Sequence, residues 1–228
     1  MPGRRCLLVT AAIVLASPSA FADLFSTVLS DADAKQIKRL AIVSLLGDTL
    51  HARQVGLTVF QNRSFDVAVP DWGLDTAVTA QVKEALASSG KIKGEVAPLV
   101  APLPDRRTLI ATARAQGFDS VLAVLPEENV HDSSIVPGAI LLRRKLPGVD
   151  KLYPCNGMTL RMFRVSDGKQ IAYAVPSACS DMPKALVWHD KWTDFTVDEK
   201  RVTLDAVVSY IHEQVRSALV TVNVSGPQ

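Results

Sequence analysis

The chain has 228 residues, 48% of them apolar and 21% charged, with 25 Lys plus Arg against 23 Asp plus Glu and three cysteines. These proportions belong to a folded domain and exclude a disordered charged tail, a collagen-like chain and a cysteine-dense mini-protein. Only one long apolar run is present, which also excludes a polytopic membrane protein.

That run opens the chain as MPGRRCLLVTAAIVLASPSAFA. Arg4 and Arg5 supply a positive start, Cys6 to Ala16 an apolar stretch, and Ala20-Phe21-Ala22 a small-x-small cleavage site. The pattern is that of a secretory signal peptide cut between Ala22 and Asp23. The alternative is an uncleaved anchor helix, for which the stretch is short. Cys6 begins the apolar stretch and is not at the cleavage site, so no N-terminal lipid anchor is expected. Removing residues 1–22 takes two arginines and no acidic group, which leaves 23 basic and 23 acidic groups. No global positive field remains, and nucleic acid is not an expected partner.

Residues 23–36 read as a polar lead-in with some helical character. Ile37 to Leu46 is an apolar strand, turned by Gly47-Asp48 into a second strand from Thr49 to Phe60. Residues 61–73 read as loop. A helix follows over 75–89, with Asp75 as N-cap, Val78, Val82, Ala85 and Leu86 on one face, and Gly90 as C-cap. Ile92 to Leu99 is strand-like. A short helix runs from Arg106 to Gln116, capped by Asp105 and ended by Gly117, and Asp119 to Leu125 is a buried strand. Residues 126–154 read as a long irregular stretch. The last element is an amphipathic helix over 197–222, with Thr196 and Glu199 at capping-box spacing. Its apolar stripe is Leu204, Val207, Val208, Ile211, Val215 and Leu219. The expected order is β-β-α-β-α-β-β-β-α: an α+β fold with one central sheet, helices packed on it, and a single domain over residues 23–228.

Two strand-like runs flank Asp167-Gly168, the signature of a hairpin with a two-residue type I′ turn. Such a hairpin leaves Cys155 one residue out of register with Cys179, and a bulge or frayed end brings them together. Two cysteines in an exported chain imply a disulfide. The alternative, a redox pair, is disfavoured by the wide spacing.

Catalytic signatures are missing. There is no G-x-S-x-G elbow, Walker A loop, G-x-G-x-x-G fingerprint, His-Glu-x-x-His or paired cysteine knuckle. No metal or cofactor is expected. Ser44, Asp48 and His51 contain the residue types of a nucleophile, an orienter and a base, but spacing alone does not place them in reach, and a strand-end turn explains them. His189-Asp190, beside Trp188 and Trp192, reads as a loop anchored by tryptophans, and His212 as part of a solvated helix face.

The segment from Ile135 to Val149 sets Ile140, Leu141, Leu142 and Leu146 beside Arg143, Arg144 and Lys145, between Pro137-Gly138 and Pro147-Gly148. It is either a contact for a partner or anionic lipid, or a hairpin arm with one buried face and a basic tip.

The stretch KRLAIVSLLGD, the helix near 75–89, and a short helix leading into GFDSVLAVL together resemble the periplasmic domain type at the N-terminus of TolB and in CsgG. The resemblance covers about half of the chain after the leader. It implies a small exported α+β module of bacterial envelopes. The lipobox cysteine of CsgG-type proteins and the β-propeller of TolB have no counterpart here, and no functional residue carries over. The expectation is a periplasmic module without catalytic activity that binds an envelope protein or the membrane surface. Its contacts would be residues 140–145, Trp188 and Trp192. The alternative is an exported hydrolase-like enzyme.

Overall fold

The computed structural model describes residues 26–100, 106–129 and 132–224. The leader assigned to residues 1–22 and the cap assigned to Asp105 lie outside the described residues. In chain order the elements are α1 (Asp31–Gln36), β1 (Arg39–Ser44), β2 (Thr49–Gly56), β3 (Arg63–Ala68), α2 (Leu74–Ser89), β4 (Glu95–Pro98), α3 (Arg106–Ala115), β5 (Ser120–Pro126), β6 (Gly138–Leu146), β7 (Val149–Arg164), β8 (Gln170–Ala174) and α4 (Val197–Thr221).

The class is α+β, as expected, with helices packed on one mixed sheet. The element order is corrected. The loop expected over 61–73 contains β3, and the irregular stretch expected over 126–154 contains β6 and the start of β7. Both departures have physical causes. β3 is an edge strand, exposed along one face, so its alternation is carried by Phe65 and Val67 alone. β6 is buried on both faces at its apolar end, so it has no alternation to read.

The hydrogen-bonded strand order is β3-β2-β6-β7-β5-β1-β4, with β8 joined to β7. β1 runs parallel to β4 and β5, and β2 parallel to β6. β7 is antiparallel to all three of its partners. Residues 149–157 of β7 pair with β6, and residues 158–164 pair with β5. One 16-residue strand thus joins the two parts of the sheet.

Both faces of the sheet are covered, which is why the central strands are continuous apolar runs. Leu40, Ile42, Leu122 and Val124 pack with Val78, Val82 and Leu86 of α2 and with Val207, Ile211 and Val215 of α4. The alternate residues Ala41, Val43, Val121 and Ala123 pack with Leu109 and Ala113 of α3. α4 begins with the expected capping box of Thr196 and Glu199. Its buried stripe includes Val207, Ile211, Val215 and Leu219, together with Thr203, Tyr210, Gln214 and Ala218.

The hairpin turn differs from expectation. Asp167 is not in the left-handed region; Gly168 is, at φ 67°. The reversal is longer than two residues and is closed by Gly168 N–H to Arg164 O at 2.9 Å and Arg164 N–H to Lys169 O at 2.8 Å. The Asp167 carboxylate accepts from the Lys169 N–H, making an Asx turn. Phe163 then faces Gln170, whereas Met162 faces Ala172, so β8 carries one extra residue there. The longer reversal shifts the pairing by two residues from that of a two-residue turn and the bulge returns one of them, so the net one-residue step is the one the cysteines need. Beyond it Cys155 faces Cys179 and the two are disulfide-bonded, with Cα atoms 4.0 Å apart. Pro154 has no N–H to donate; its carbonyl accepts from Ser180 at 3.1 Å, on the side away from β6, so the missing donor falls outside the β6–β7 ladder.

Two stability predictions follow from β7. Gly157 sits where β7 passes from β6 to β5, and a Cβ there would lie 2.0 Å from the Val136 carbonyl oxygen and 2.7 Å from that of Glu127. Gly157→Ala is expected to lower unfolding free energy by roughly 2–4 kcal/mol, since backbone cannot yield as a side chain does. Replacing Cys155 and Cys179 with Ser together is expected to cost roughly 3–4 kcal/mol on the chain-entropy model. Urea unfolding followed by circular dichroism checks both.

Candidate functional site

Arg143, near the end of β6, is held by its neighbours in the sheet. The β6–β7 turn brings Asp150 back against it, and the guanidinium donates two hydrogen bonds to that carboxylate, both 2.7 Å. A third goes to Gln54 Oε1 on β2 at 3.0 Å. Such bidentate pairs fix orientation as well as charge. The guanidinium carbon lies 5.9 Å from the centre of a Trp188 ring.

Trp188 begins a chain of aromatic contacts. Its ring is 5.7 Å from that of Phe65 on β3, and Phe65 is 6.4 Å from Phe195. Phe195 also meets His189 at 4.8 Å and Trp192 at 4.9 Å. The Lys200 ammonium lies 5.6 Å from a Trp192 ring. Phe195 is buried, and the other rings are half-buried around it. The segment is held at its end by the cap of α4, where Glu199 accepts from the Thr196 N–H at 2.8 Å and also meets His189 Nε2 at 3.3 Å. The result is a surface of tilted rings edged by two cations, a geometry suited to binding through ring faces and charge.

The candidates read from the sequence are divided by the fold. Arg143, Trp188 and Trp192 come together. Ile140 and Leu142 do not reach the surface: they form a small cluster with Ile135 and Cys155. Leu141, on the other face of β6, belongs to the main core. All three are 0% exposed, so the apolar half of this segment is packing, as a hairpin arm with buried faces requires. Arg144 pairs with Asp132 at 3.0 Å, and Lys145 is exposed at the hairpin end. Phe65 was not foreseeable as part of this surface; its signal was the R-S-F-D-V-A alternation of a strand with one face in water.

Ser44, Asp48 and His51 do not form a catalytic group. Buried Ser44 donates to Asp75 at 2.5 Å, and the Asp75 carboxylate also accepts the N–H groups of Leu46 and Gly47 at 2.8 and 3.0 Å. Asp75 therefore ties the β1–β2 turn to the first turn of α2, and the N-cap position belongs to Gly73. His51 meets Asp66 at 2.9 Å, on β3. His189 and Asp190 also part company, since Asp190 accepts from Trp188 Nε1 at 3.2 Å. His212 is not on a solvated face: it is half-buried, its Nε2 has no hydrogen-bond partner, and burial with the charge of Arg216 lowers its pKa. Among the described residues no group of three His, Cys, Asp or Glu side chains is placed to hold a metal ion. No described helix is long and apolar enough to cross a membrane.

No family model matches the sequence, and no curated protein is similar to it. Solved structures with partial likeness include PelC from Paraburkholderia phytofirmans, a dodecamer, at 12% identity and TM-score 0.37, covering 89% of this chain and 96% of that one. The C-terminal domain of LpoB from Salmonella enterica is 14% identical at TM-score 0.29, over 64% of this chain and 92% of that one. A protein from Xanthomonas campestris is 12% identical at TM-score 0.35, over 82% and 81%.

The ion pairs at this end of the sheet predict an acid response. Hydrogen bonds from Arg143 hold the Asp150 carboxyl below its ordinary value of 3.8. Burial pushes Asp66 up, but the hydrogen bonds from Arg53 and His51 outweigh it and its pKa is lowered. At Asp132 burial likewise pushes the pKa up, but the bonds from Ser134 and Arg144 outweigh it and the pKa is lowered. A carboxylate with a depressed folded-state pKa contributes its full stabilisation above the unfolded value and loses it as pH falls through the folded one. The contribution of these three carboxylates is expected to be constant from neutrality down to 3.8 and to be lost below that. Thermal unfolding in a pH series, repeated on Asp150→Asn, reads it: the variant is expected to show the smaller acid loss.

Proposed function

We propose that the protein is exported to the periplasm through cleavage after Ala22. There, residues 23–228 act as one α+β binding module of the cell envelope, not as a catalyst. The observation that carries this reading is the convergence of Arg143, Trp188 and Trp192 on one surface, with Phe65 and Lys200 completing it. Arg and Trp are the residue types that most often dominate binding energy at an interface. The compartment is supported by the leader pattern and by the Cys155–Cys179 disulfide, which persists in oxidising surroundings. Ser44 and His51, the nucleophile and base candidates near the first turn, are engaged by different carboxylates, which gives no support to a hydrolase site there.

Two measurements test the proposal. Intact mass of the protein recovered from the periplasm is expected to correspond to a chain beginning at Asp23 and two hydrogens lighter than the dithiol form. In-cell crosslinking of the wild type and of Arg143→Ser with Trp188→Ser is expected to show roughly tenfold weaker capture by the variant. Capture that is unchanged removes this surface as the contact.

A further inference from the structure

The β2–β3 hairpin ends in a tip whose apolar side chains point away from the fold. Leu57, Val59 and Phe60 are 64, 75 and 85% exposed. The turn beneath them is ordered. Gln61 N–H donates to Thr58 O at 3.0 Å and Asn62 N–H to Val59 O at 3.2 Å, within the short 3-10 turn Val59–Gln61. Gly56 N–H donates to Asn62 Oδ1 at 3.0 Å, and Leu57 N–H to Gln61 Oε1 at 2.8 Å. The tip therefore satisfies four of its own backbone donors, which is what an apolar surrounding demands of any segment entering it.

Charge lies next to this tip. A cleft of about 350 Å³ is lined by three cations, Arg53, Arg63 and Arg144, and one carboxylate, Asp132, with Ser64 and Ser134 among its polar residues. Arg53 is paired with Asp66 and Arg144 with Asp132. Arg63 is different: its guanidinium donates to the carbonyl oxygens of Phe60 and Asn62, at 2.9 and 2.8 Å, so its cation sits on the backbone of the tip itself. Three protruding apolar side chains are far too small a patch for a stable protein interface, which needs about 800 Å² on each partner. They suffice for a peripheral lipid contact, in which a few apolar groups enter the headgroup boundary and cations meet lipid phosphates.

We propose that this end of the molecule docks on an anionic membrane surface. Leu57, Val59 and Phe60 enter the boundary between headgroups and acyl chains, and Arg63, with Arg144 and Arg53 beside it, takes lipid phosphates in the adjoining cleft. This rests on the reading of the protein as an exported binding module and names its partner as lipid.

The test is co-sedimentation of the full protein, as recovered from its cells, with vesicles of phosphatidylglycerol and phosphatidylcholine, and with phosphatidylcholine vesicles alone. Binding is expected to the anionic vesicles and to fall about tenfold or more with salt or in phosphatidylcholine. Val59→Ser combined with Phe60→Ser, and separately Arg63→Ser combined with Arg144→Ser, are each expected to reduce binding by about tenfold. The first pair lies on exposed positions, and circular dichroism confirms that it folds. As a local reporter, Phe60→Trp is expected to add a blue-shifted emission when anionic vesicles are present. Vesicle binding that is absent, or unchanged in the tip variant, overturns the proposal. Release by inorganic phosphate at matched phosphate concentration also overturns it, in favour of a free-phosphate site. A tip needed for crosslinking to a protein but not for vesicle binding overturns it in favour of a protein partner. In each case the Arg143 and Trp188 crosslinking result stands separately, so the failure of this proposal is distinguishable from failure of the binding-module reading.

Discussion

β7 is the member on which the rest of the sheet depends. Its first residues pair with β6 and its last with β5, so the strands carrying the hairpin tip and those carrying the parallel core are joined through one backbone. The disulfide at Cys155 lies inside that strand and clamps the segment after β8 against it. Asn156, the next residue, extends the clamp: its N–H reaches Ala178 O at 2.7 Å and its side-chain amide reaches Ser177 O at 3.0 Å. Tyr210 of α4 donates to the same Ser177 carbonyl at 3.0 Å. Strand, disulfide and terminal helix are thus coupled through a few buried polar contacts, which are effective in proportion to how well they are satisfied.

From that frame the surface features acquire their positions. The core is buried on both sides of the sheet, so apolar residues in the central strands have no surface to offer. Two of the exposed features meet at the hairpin of β2 and β3. There the aromatic rings around Phe195 reach β3 at Phe65, and the tip beyond Gly56 carries Phe60. Arg143 and Arg144, adjacent in sequence, go to different partners because successive residues of a strand point to opposite faces. A basic run that looks like one patch in the sequence therefore becomes two separate ion pairs.

Much of this was legible in the sequence wherever a pattern was local. The helix over 75–89, the capping box at Thr196 and Glu199, and the strand beginning after Asp119 each depend on residues close together in the chain. The cysteine pair was also readable, because the hairpin signal at Gly168 placed Cys155 within one residue of its partner. The edge strand β3 and the two-sided strand β6 were not, since one shows too few buried positions and the other no alternation. Asp75 gave the right helix start but the wrong partner: an acid at the first turn suits a cap equally well whether its carboxylate bonds its own helix or a neighbouring turn.

By itself the sequence determined the α+β class and the available disulfide, because hydrophobic periodicity and turn residues are local properties. Only the tertiary structure decided which candidates share a surface. Arg143 meets Trp188 across 45 positions of chain, and Phe65 reaches Phe195 across 130, distances over which no spacing rule operates. The same folding buried Ile140, Leu141 and Leu142 and left Leu57, Val59 and Phe60 in the open, a choice set by which strands flank each segment and not by how apolar it is.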